Sequence, residues 1–482
     1  MTSKNNNMRM KRVKSSAGFF AGLLQLTFGA AAQSDSVRKV NRYEFTVQQT
    51  VDYAMKNNVN VKNALLQIKV QEQQNRNFTS AAYPHINASL GTTYNPAVAT
   101  QVLPNFISPA TYQVLIDEGV KDGNGNTIQM PADFGFVAAQ FGTKYSASAG
   151  ISLSQILFDG QVFVGLQARD AALKLYQKGA EVTSEQIKAS IYKIYYQLSV
   201  SKTQIELLDA NIALVEKNLR DTRVIYENGF REKLDVDKES VRLANLQTEK
   251  QKLLNQISNG YYALKLLIGM PIADELVLTD KVTENDVKDG VLEAAAYKHE
   301  DRKEYQQALI SKQLLEYNVR RYKLSQIPTV SLTALYAKNA QRNSWNFFGR
   351  GDWFSVSNVN LNVSIPIFNG FFTKSKIQEA KIEVDKINNQ LDGMKLWIDN
   401  DVEAARNNYK NAVVTMDFQK KNMELAEKIY QQTKKKYEVG TGSQIEIVAA
   451  QTEMKSAQTN YVTALYDAII AKVDYLKATG KL

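Results

Sequence analysis

No cysteine occurs anywhere in the 482 residues. That excludes a disulfide framework, thiolate metal ligands, a cysteine nucleophile and a lipid-modified cysteine. Histidine is nearly as scarce. His85 and His299 are the only two, and neither stands at metal-ligand spacing, so no metal site is expected. Proline numbers eight, and long stretches have none. Beyond residue 32 there is no run of about 20 apolar residues, the length a membrane-spanning helix needs. A phosphate-cradling glycine loop, a nucleophile motif and a carboxylate isolated among apolar residues are also missing. The sequence therefore offers no catalytic centre and no cofactor site, and no enzyme activity is expected. The formal charge is +10, but both signs are interspersed along helical stretches. A nucleic-acid surface would need a clustered basic face.

What is present begins with an export signal. Arg9, Lys11, Arg12 and Lys14 precede an apolar core over 17–28 and then Ala30-Ala31-Ala32. This three-part layout predicts a signal peptide over 1–32. The apolar core is too short for a membrane anchor. All five basic residues of this segment lack an acidic counterpart, so the remainder carries 54 basic against 49 acidic side chains.

The chain then says the same thing twice, at a constant offset of 211. Tyr226-Glu227-Asn228-Gly229 returns as Tyr437-Glu438-Val439-Gly440. Asn211, Leu214 and Lys217 return as Asn422, Leu425 and Lys428, and Gly269 returns as Gly480. A unit this long is a duplicated half-molecule rather than a short solenoid repeat. The predicted halves are 33–271 and 291–482, joined by a connecting segment at 272–290.

Residues 45–80 read as helical and end at Pro84. A period-two pattern follows, with Ile86, Ala88, Leu90, Thr92 and Tyr94 on one face and Asn87, Ser89, Gly91 and Thr93 on the other. Its partner places Tyr145, Ala147, Ala149, Ile151 and Leu153 against small polar residues. This predicts a strand pair 84–94/145–158 with an external loop at 95–142. A long helix over 161–228 follows, in which Ile205, Leu208, Ile212, Val215, Leu219, Thr222 and Tyr226 form a heptad seam. Its proline-free 63 residues from Leu166 to Asn228 would reach roughly 95 Å at ~1.5 Å each. A return helix spans 233–268. The second half repeats the order. A helix runs from about 291 to 325, a strand pair lies at 328–337/354–368, a long helix at 372–438 and a return helix at 444–479. In the first of these strands Val330, Leu332, Ala334 and Tyr336 face outward.

Each strand has one apolar face and one face of Ser, Asn, Gly and Thr, and about ten residues suffice for a tilted bilayer crossing. That is the alternation of a membrane β-barrel with a wet lumen. Four strands cannot close on themselves, and unpaired backbone edges are not tolerated in lipid. Eight strands make a barrel filled by side chains, whereas three copies give twelve strands and an aqueous pore. The fold class expected is therefore an α+β membrane protein. Four strands per chain contribute to a 12-stranded trimeric outer-membrane β-barrel, and long coiled-coil hairpins form a helical barrel in the periplasm.

At this point the chain resembles the TolC-type outer-membrane efflux channels, over essentially all of its length beyond the signal segment. Ser80-Ala81-Ala82-Tyr83-Pro84 and Leu324-Ser325-Gln326-Ile327-Pro328 carry the likeness, as do Leu157-Phe158-Asp159-Gly160 and Ile367-Phe368-Asn369-Gly370. The helix-turn motifs are the most specific: Tyr226-x-x-Gly229 before Leu234-Asp235-Val236, and Tyr437-x-x-Gly440 before Ile445-Glu446-Ile447. The resemblance implies a passive homotrimeric duct in outer-membrane lipid, joined to a periplasmic adaptor and an energised inner-membrane transporter. It also implies a periplasmic aperture near these turns. Asp235 and Glu446 fall on its acidic positions and Tyr437 on the aromatic of its closing network. The family's basic position after the second glycine is here Gly442, while Arg231 holds the equivalent place in the first copy. A further acidic position is here Ala449. Asp235 and Glu446 equally fit as helix N-terminal carboxylates.

Efflux and type I protein secretion share such a channel and are not separable from the residues. A structural coiled-coil surface protein would be a different class, with no amphipathic strands. Asp122-Gly-Asn124-Gly-Asn126 resembles the start of a calcium loop, but Thr127 stands where glycine is required, so a turn is expected.

Overall fold

The computed structural model describes residues 40–280, 282–288 and 297–482. The predicted signal segment 1–32 lies outside them. In chain order the first half has β1 (Arg42–Phe45), α1 (Val47–Asn57), α2 (Val59–Ser80), β2 (His85–Tyr94), β3 (Thr100–Pro104), α3 (Ile107–Asp117), β4 (Phe136–Gln140), β5 (Tyr145–Phe158), α4 (Gly160–Glu227) and α5 (Lys233–Ile268). Between the halves come β6 (Glu275–Leu278) and α6 (Glu284–Lys288). The second half has α7 (Lys303–Leu324), β7 (Thr329–Arg342), β8 (Phe354–Ser364), α8 (Phe372–Glu438) and α9 (Gln444–Ala478).

Two helices dominate the molecule. α4 has 68 residues and α8 has 67, and each folds back on a shorter partner of 36 or 35 residues. At ~1.5 Å per residue each long helix extends roughly 100 Å. They persist because neither contains proline. Each hairpin buries a narrow apolar stripe rather than a globular core. Leu208, Val215 and Leu246 close one hairpin, and Ala426, Tyr430, Ile447, Ala450 and Met454 close the other.

The sheet order is β2-β5-β7-β8, all antiparallel. The register puts Ile86 opposite Leu153, Ile151 opposite Tyr336, and Ala334 opposite Val359. One face is thus apolar and, among the described residues, largely uncovered: Leu90 is 87 % exposed and Val359 75 %, and only its outer end, at Ala147 and Ala340, is packed by Phe347. A bulge between Ile156 and Phe158 returns Phe158 to the side of Val330. β2 and β8 stand at the two ends of the sheet, and each pairs with one strand only.

A second layer sits midway along the helices. β1 and β6 pair in parallel over buried Val51, Ile191, Tyr195, Leu264 and Ile268. Tyr195 donates to the Phe45 carbonyl at 3.0 Å and accepts from the Asp280 amide at 3.1 Å. In the second half Arg302, 2 % exposed, donates to Asp401 at 2.8 Å and to the Ala478 carbonyl at 3.0 Å. That clamps the last turn of α9.

Several sequence expectations need correction. The helical reading of 45–80 breaks at Asn58, whose side chain accepts from the Asn60 and Val61 amides and so caps α2 instead of continuing α1. Residue 45 belongs to β1. The loop 95–142 holds a two-stranded sheet of β3 and β4, and α3. The helix expected from about 291 starts at Lys303, because Arg302 is extended; positions 291–296 lie outside the described residues. The strand expected over 328–337 continues to Arg342. The one expected to 368 stops at Ser364, two residues before Pro366, which has no amide to donate. The heptad seam of α4 is divided: Leu208, Val215 and Thr222 are buried, whereas Tyr226 is exposed.

Gly269 and Gly480 both adopt left-handed backbone, with φ of 73° and 70°. A Cβ at Gly269 would lie 2.4 Å from the Asn57 carbonyl oxygen, and one at Gly480 2.6 Å from that of Asp301. At Gly229 and Gly440, with φ of 81° and 79°, a Cβ would meet open space. Alanine at any of the four carries a backbone cost of about 1–2 kcal/mol, but only the first two add a steric conflict. Thermal unfolding in detergent is expected to show larger losses for Gly269→Ala and Gly480→Ala than for Gly229→Ala and Gly440→Ala. Equal losses would contradict the close backbone approach.

Candidate functional site at the hairpin tips

Each hairpin turns through a left-handed glycine that closes the last helical turn. At the first tip the Gly229 amide donates to Tyr226 and the Phe230 amide to Ile225. At the second the Gly440 amide donates to Tyr437, and the Thr441 and Gly442 amides both donate to Lys436. These reversed bonds satisfy carbonyls that a helix end leaves bare.

The two carboxylates sit differently. Glu446 belongs to a capping box: its amide donates to the Ser443 hydroxyl at 3.2 Å, and its carboxylate accepts from the Ser443 amide at 3.4 Å. Asp235, in the first turn of α5, has Arg231 at 3.9 Å and Lys238 at 3.8 Å. Both carboxylates therefore stand at helix N-termini, where the macrodipole favours them.

Arg231 reaches from the first tip to the second. Its Nη2 donates to the Tyr437 hydroxyl and its Nη1 to Gln444 Oε1 at 2.9 Å. The guanidinium lies 5.5 Å from the centre of the Tyr437 ring. So Arg231, Asp235 and Tyr437 form one cluster across 206 residues of sequence, while Glu446 bonds locally. The glycine at 442 has a steric reason: a Cβ there would lie 3.0 Å from the Tyr437 amide nitrogen and 3.2 Å from the Lys436 carbonyl carbon. A basic side chain is crowded out of the second turn, and the first turn supplies one.

The network runs further than the sequence indicated. Gln444 Nε2 donates to Glu239 at 3.1 Å, and Glu239 is 3 % exposed with Arg242 3.9 Å away. Glu239 Oε2, Arg242 Nη1, the Tyr430 hydroxyl and Gln451 Nε2 are buried without a hydrogen-bond partner, the first two facing each other as an ion pair. Burial pulls Arg242 below its ordinary pKa and pushes Tyr430 above its own. Farther along, Gln451 accepts from Asn218 at 3.4 Å and Gln458 from Asn211 at 3.2 Å. Gln444, Gln451 and Gln458 are spaced seven apart, as are Asn211 and Asn218. That spacing was the available signal. The α4–α9 contact between hairpins thus carries polar pairs beside apolar ones, with Leu214 packed against the apolar seam of the second hairpin.

The other singled-out residues lie elsewhere. His85 opens β2. His299 is in a 3₁₀ turn rather than a helix, 2.8 Å from Asp399, which also accepts from the Tyr297 hydroxyl. Asp122 accepts from the Asn124 and Asn126 amides and closes a turn. Those backbone bonds hold its carboxyl below the usual range. Among the described residues no group of His, Cys, Asp and Glu could hold a metal ion.

If Arg231 ties the tips together, Arg231→Ala should speed amide exchange over 226–235 and 437–446 alike. The expected loss is about 1 kcal/mol, or roughly fivefold in exchange, as befits a part-buried charged contact. A change confined to the first tip would show that the contact does not couple the hairpins.

Comparison with known proteins places this geometry. Residues 299–481 match the family described as outer membrane efflux protein. The chain is 21 % identical to outer membrane protein TolC of Vibrio cholerae over 343 residues, 70 % of this chain and 77 % of the relative. It is 22 % identical to the probable efflux pump outer membrane protein TtgC of Pseudomonas putida over 372 residues, 74 % of each chain. The solved structure of CusC superposes with a TM-score of 0.70 at 14 % identity, covering 92 % of this chain and 93 % of that one. In sequence and in its strand-and-hairpin architecture, the chain is thus similar to the TolC-type outer membrane efflux proteins.

Proposed function

We propose that three copies close a 12-stranded barrel in the outer membrane, above a periplasmic tube built from their helices. In this reading the assembly is a passive export duct. A periplasmic adaptor and an inner-membrane transporter join it at the tips and supply direction and energy. The observation that carries the proposal is the sheet itself: four strands, an uncovered apolar face and two end strands with open edges. In hydrocarbon such edges require partners. A second copy supplies them without any new element.

The helices support the same reading. Val414, Phe418, Leu425 and Ile429 of α8 are exposed at spacings of 4, 7 and 4, a seam that another helix would fill. The repeat of 33–271 in 291–482, linked through 272–290, gives a trimer sixfold pseudo-symmetry. At the tips Phe230, Leu234, Val439 and Ile445 are exposed, an apolar surface suited to an adaptor. The efflux pump named for the Pseudomonas relative supports a pump component here.

In this reading Asp235 and Glu446 line the periplasmic aperture, and Arg231 and Tyr437 help to hold it narrow. A ring of six carboxylates favours cations. Reconstituted in planar bilayers, the protein is expected to give discrete conductance steps. Asp235→Asn with Glu446→Gln should lower its cation preference by about threefold or more. Arg231→Ala with Tyr437→Phe should raise the unit conductance. No conductance steps at all would contradict the duct, and unchanged selectivity would remove the carboxylates from the aperture.

A further inference from the structure

The outer end of the apolar sheet face changes character. Along β7 it reads Val330, Leu332, Ala334 and Tyr336, and then Lys338, Ala340 and Arg342. β8 changes too, from Val363, Leu361 and Val359 to Ser357 and Ser355, which lie opposite Tyr336 and Lys338. The apolar run therefore ends between Tyr336 and Lys338 on β7 and one pair earlier on β8, while on β2 Leu90 carries it to the level of Lys338. Aromatic rings gather just beyond it. Tyr94 stacks on Tyr145 at 4.9 Å, Tyr145 meets Trp345 edge-on at 6.2 Å, and Trp345 lies 5.2 Å from Phe347. Phe347 is buried with Ala147 and Ala340, so the 343–353 loop folds down onto this same face. Rings at that level belong with lipid headgroups.

Two cations stand among them without counter-ions. Lys338 makes no ion pair or hydrogen bond among the described residues. The Arg342 guanidinium lies 5.4 Å from the Phe347 ring centre, and its Nη1 and Nη2 are buried without partners. It sits against Gly351, where even a Cβ would come within 2.6 Å of Nη2. A guanidinium short of acceptors and an unpaired ammonium on one face of one strand invite an anion with more than one charged group.

We propose that Lys338 and Arg342 bind the phosphates of an outer-leaflet glycolipid whose acyl chains lie along the apolar face below. This rests on the reading of that face as lipid-exposed. The two side chains leave the strand four residues apart, about 13 Å along it. That spacing leaves room for two phosphates, one at each cation, as in a diphosphorylated headgroup. Lys338, at the edge of the band, takes the nearer phosphate. Gly351, having no side chain, lets the Arg342 guanidinium lie against its backbone, beside the farther one. A zwitterionic phospholipid brings its own ammonium and leaves the cations uncompensated, so the site selects for the glycolipid.

The test uses full-length protein in detergent, first checked for conductance. It is titrated with diphosphoryl lipid A, with the same lipid dephosphorylated, and with inorganic phosphate, and read by thermal unfolding and native mass spectrometry. Diphosphoryl lipid A is expected to bind and to raise the unfolding midpoint. Lys338→Gln should weaken that binding about fivefold, the effect of one basic residue at a charged lipid surface, and Lys338→Arg should restore it. Because Lys338 carries no internal contact, the variants are expected to fold and conduct. Undiminished binding by Lys338→Gln would overturn the proposal. So would equal stabilisation by the dephosphorylated lipid, which would leave only the aromatic girdle, or by inorganic phosphate, which would leave only an adventitious ion. Loss of conductance in the unaltered protein would count against the duct instead.

Discussion

Edge strands expose backbone amides and carbonyls that water can satisfy and hydrocarbon cannot. Here two of the four strands in the main sheet, β2 and β8, are edges, and the face between them is apolar and bare. In water this sheet would bury its apolar face against the helices. Instead α4 and α8 leave the sheet and extend for roughly 100 Å, so they cannot serve as its cover. In the proposed assembly lipid covers that face and the strands of other copies complete those edges. The placement of the helices, the position of the turns at the far end and the hairpin architecture fit that arrangement.

The helices carry a second division of labour. Within the second hairpin the seam is Ala426, Tyr430, Ile447, Ala450 and Met454, an apolar contact that resists separation. Between the hairpins amides and charges stand beside Leu214: Asn211 with Gln458, Asn218 with Gln451, Gln444 with Glu239, and Arg231 with Tyr437. Polar contacts exchange for water at small net cost, and buried groups without a hydrogen bond, such as Gln451 Nε2, gain from hydration. Stiff hairpins joined by an exchangeable seam can part at the tips without unfolding. The aperture proposed at the tips would use that property.

Much of this was legible in the sequence where one residue type has one structural use. The proline-free run before Gly229, and the glycines at 229, 269, 440 and 480, mark hairpin ends because left-handed turns favour glycine. Strict alternation from Ile86 to Tyr94 marks a strand, since no helix tolerates that pattern on one face. Asn58 was misread because an asparagine inside a helical pattern does not announce that its side chain will cap a new helix. The β1–β6 pairing joins positions 233 residues apart, such as Arg42 and Glu275, in segments too short to show periodicity. At the tips, Arg231 and Tyr437 were both noticed, but their contact was not, because it depends on how two hairpins lie side by side. Gln444 and Glu239 escaped because a buried polar residue at a heptad position looks like part of a solvated face. Lys338 broke the alternation of β7 and so shortened the strand that was expected.

The absence of cysteine makes the central claim directly measurable. With Asn87→Cys on β2 and a series of single cysteines along β8, oxidation of the assembled protein reports which edges meet. The account predicts disulfide-linked species of two and three chains, strongest at one register of β8 and absent when either cysteine is omitted. Chains that stay unlinked at every register, or that link only within one chain, would contradict a barrel closed by identical subunits.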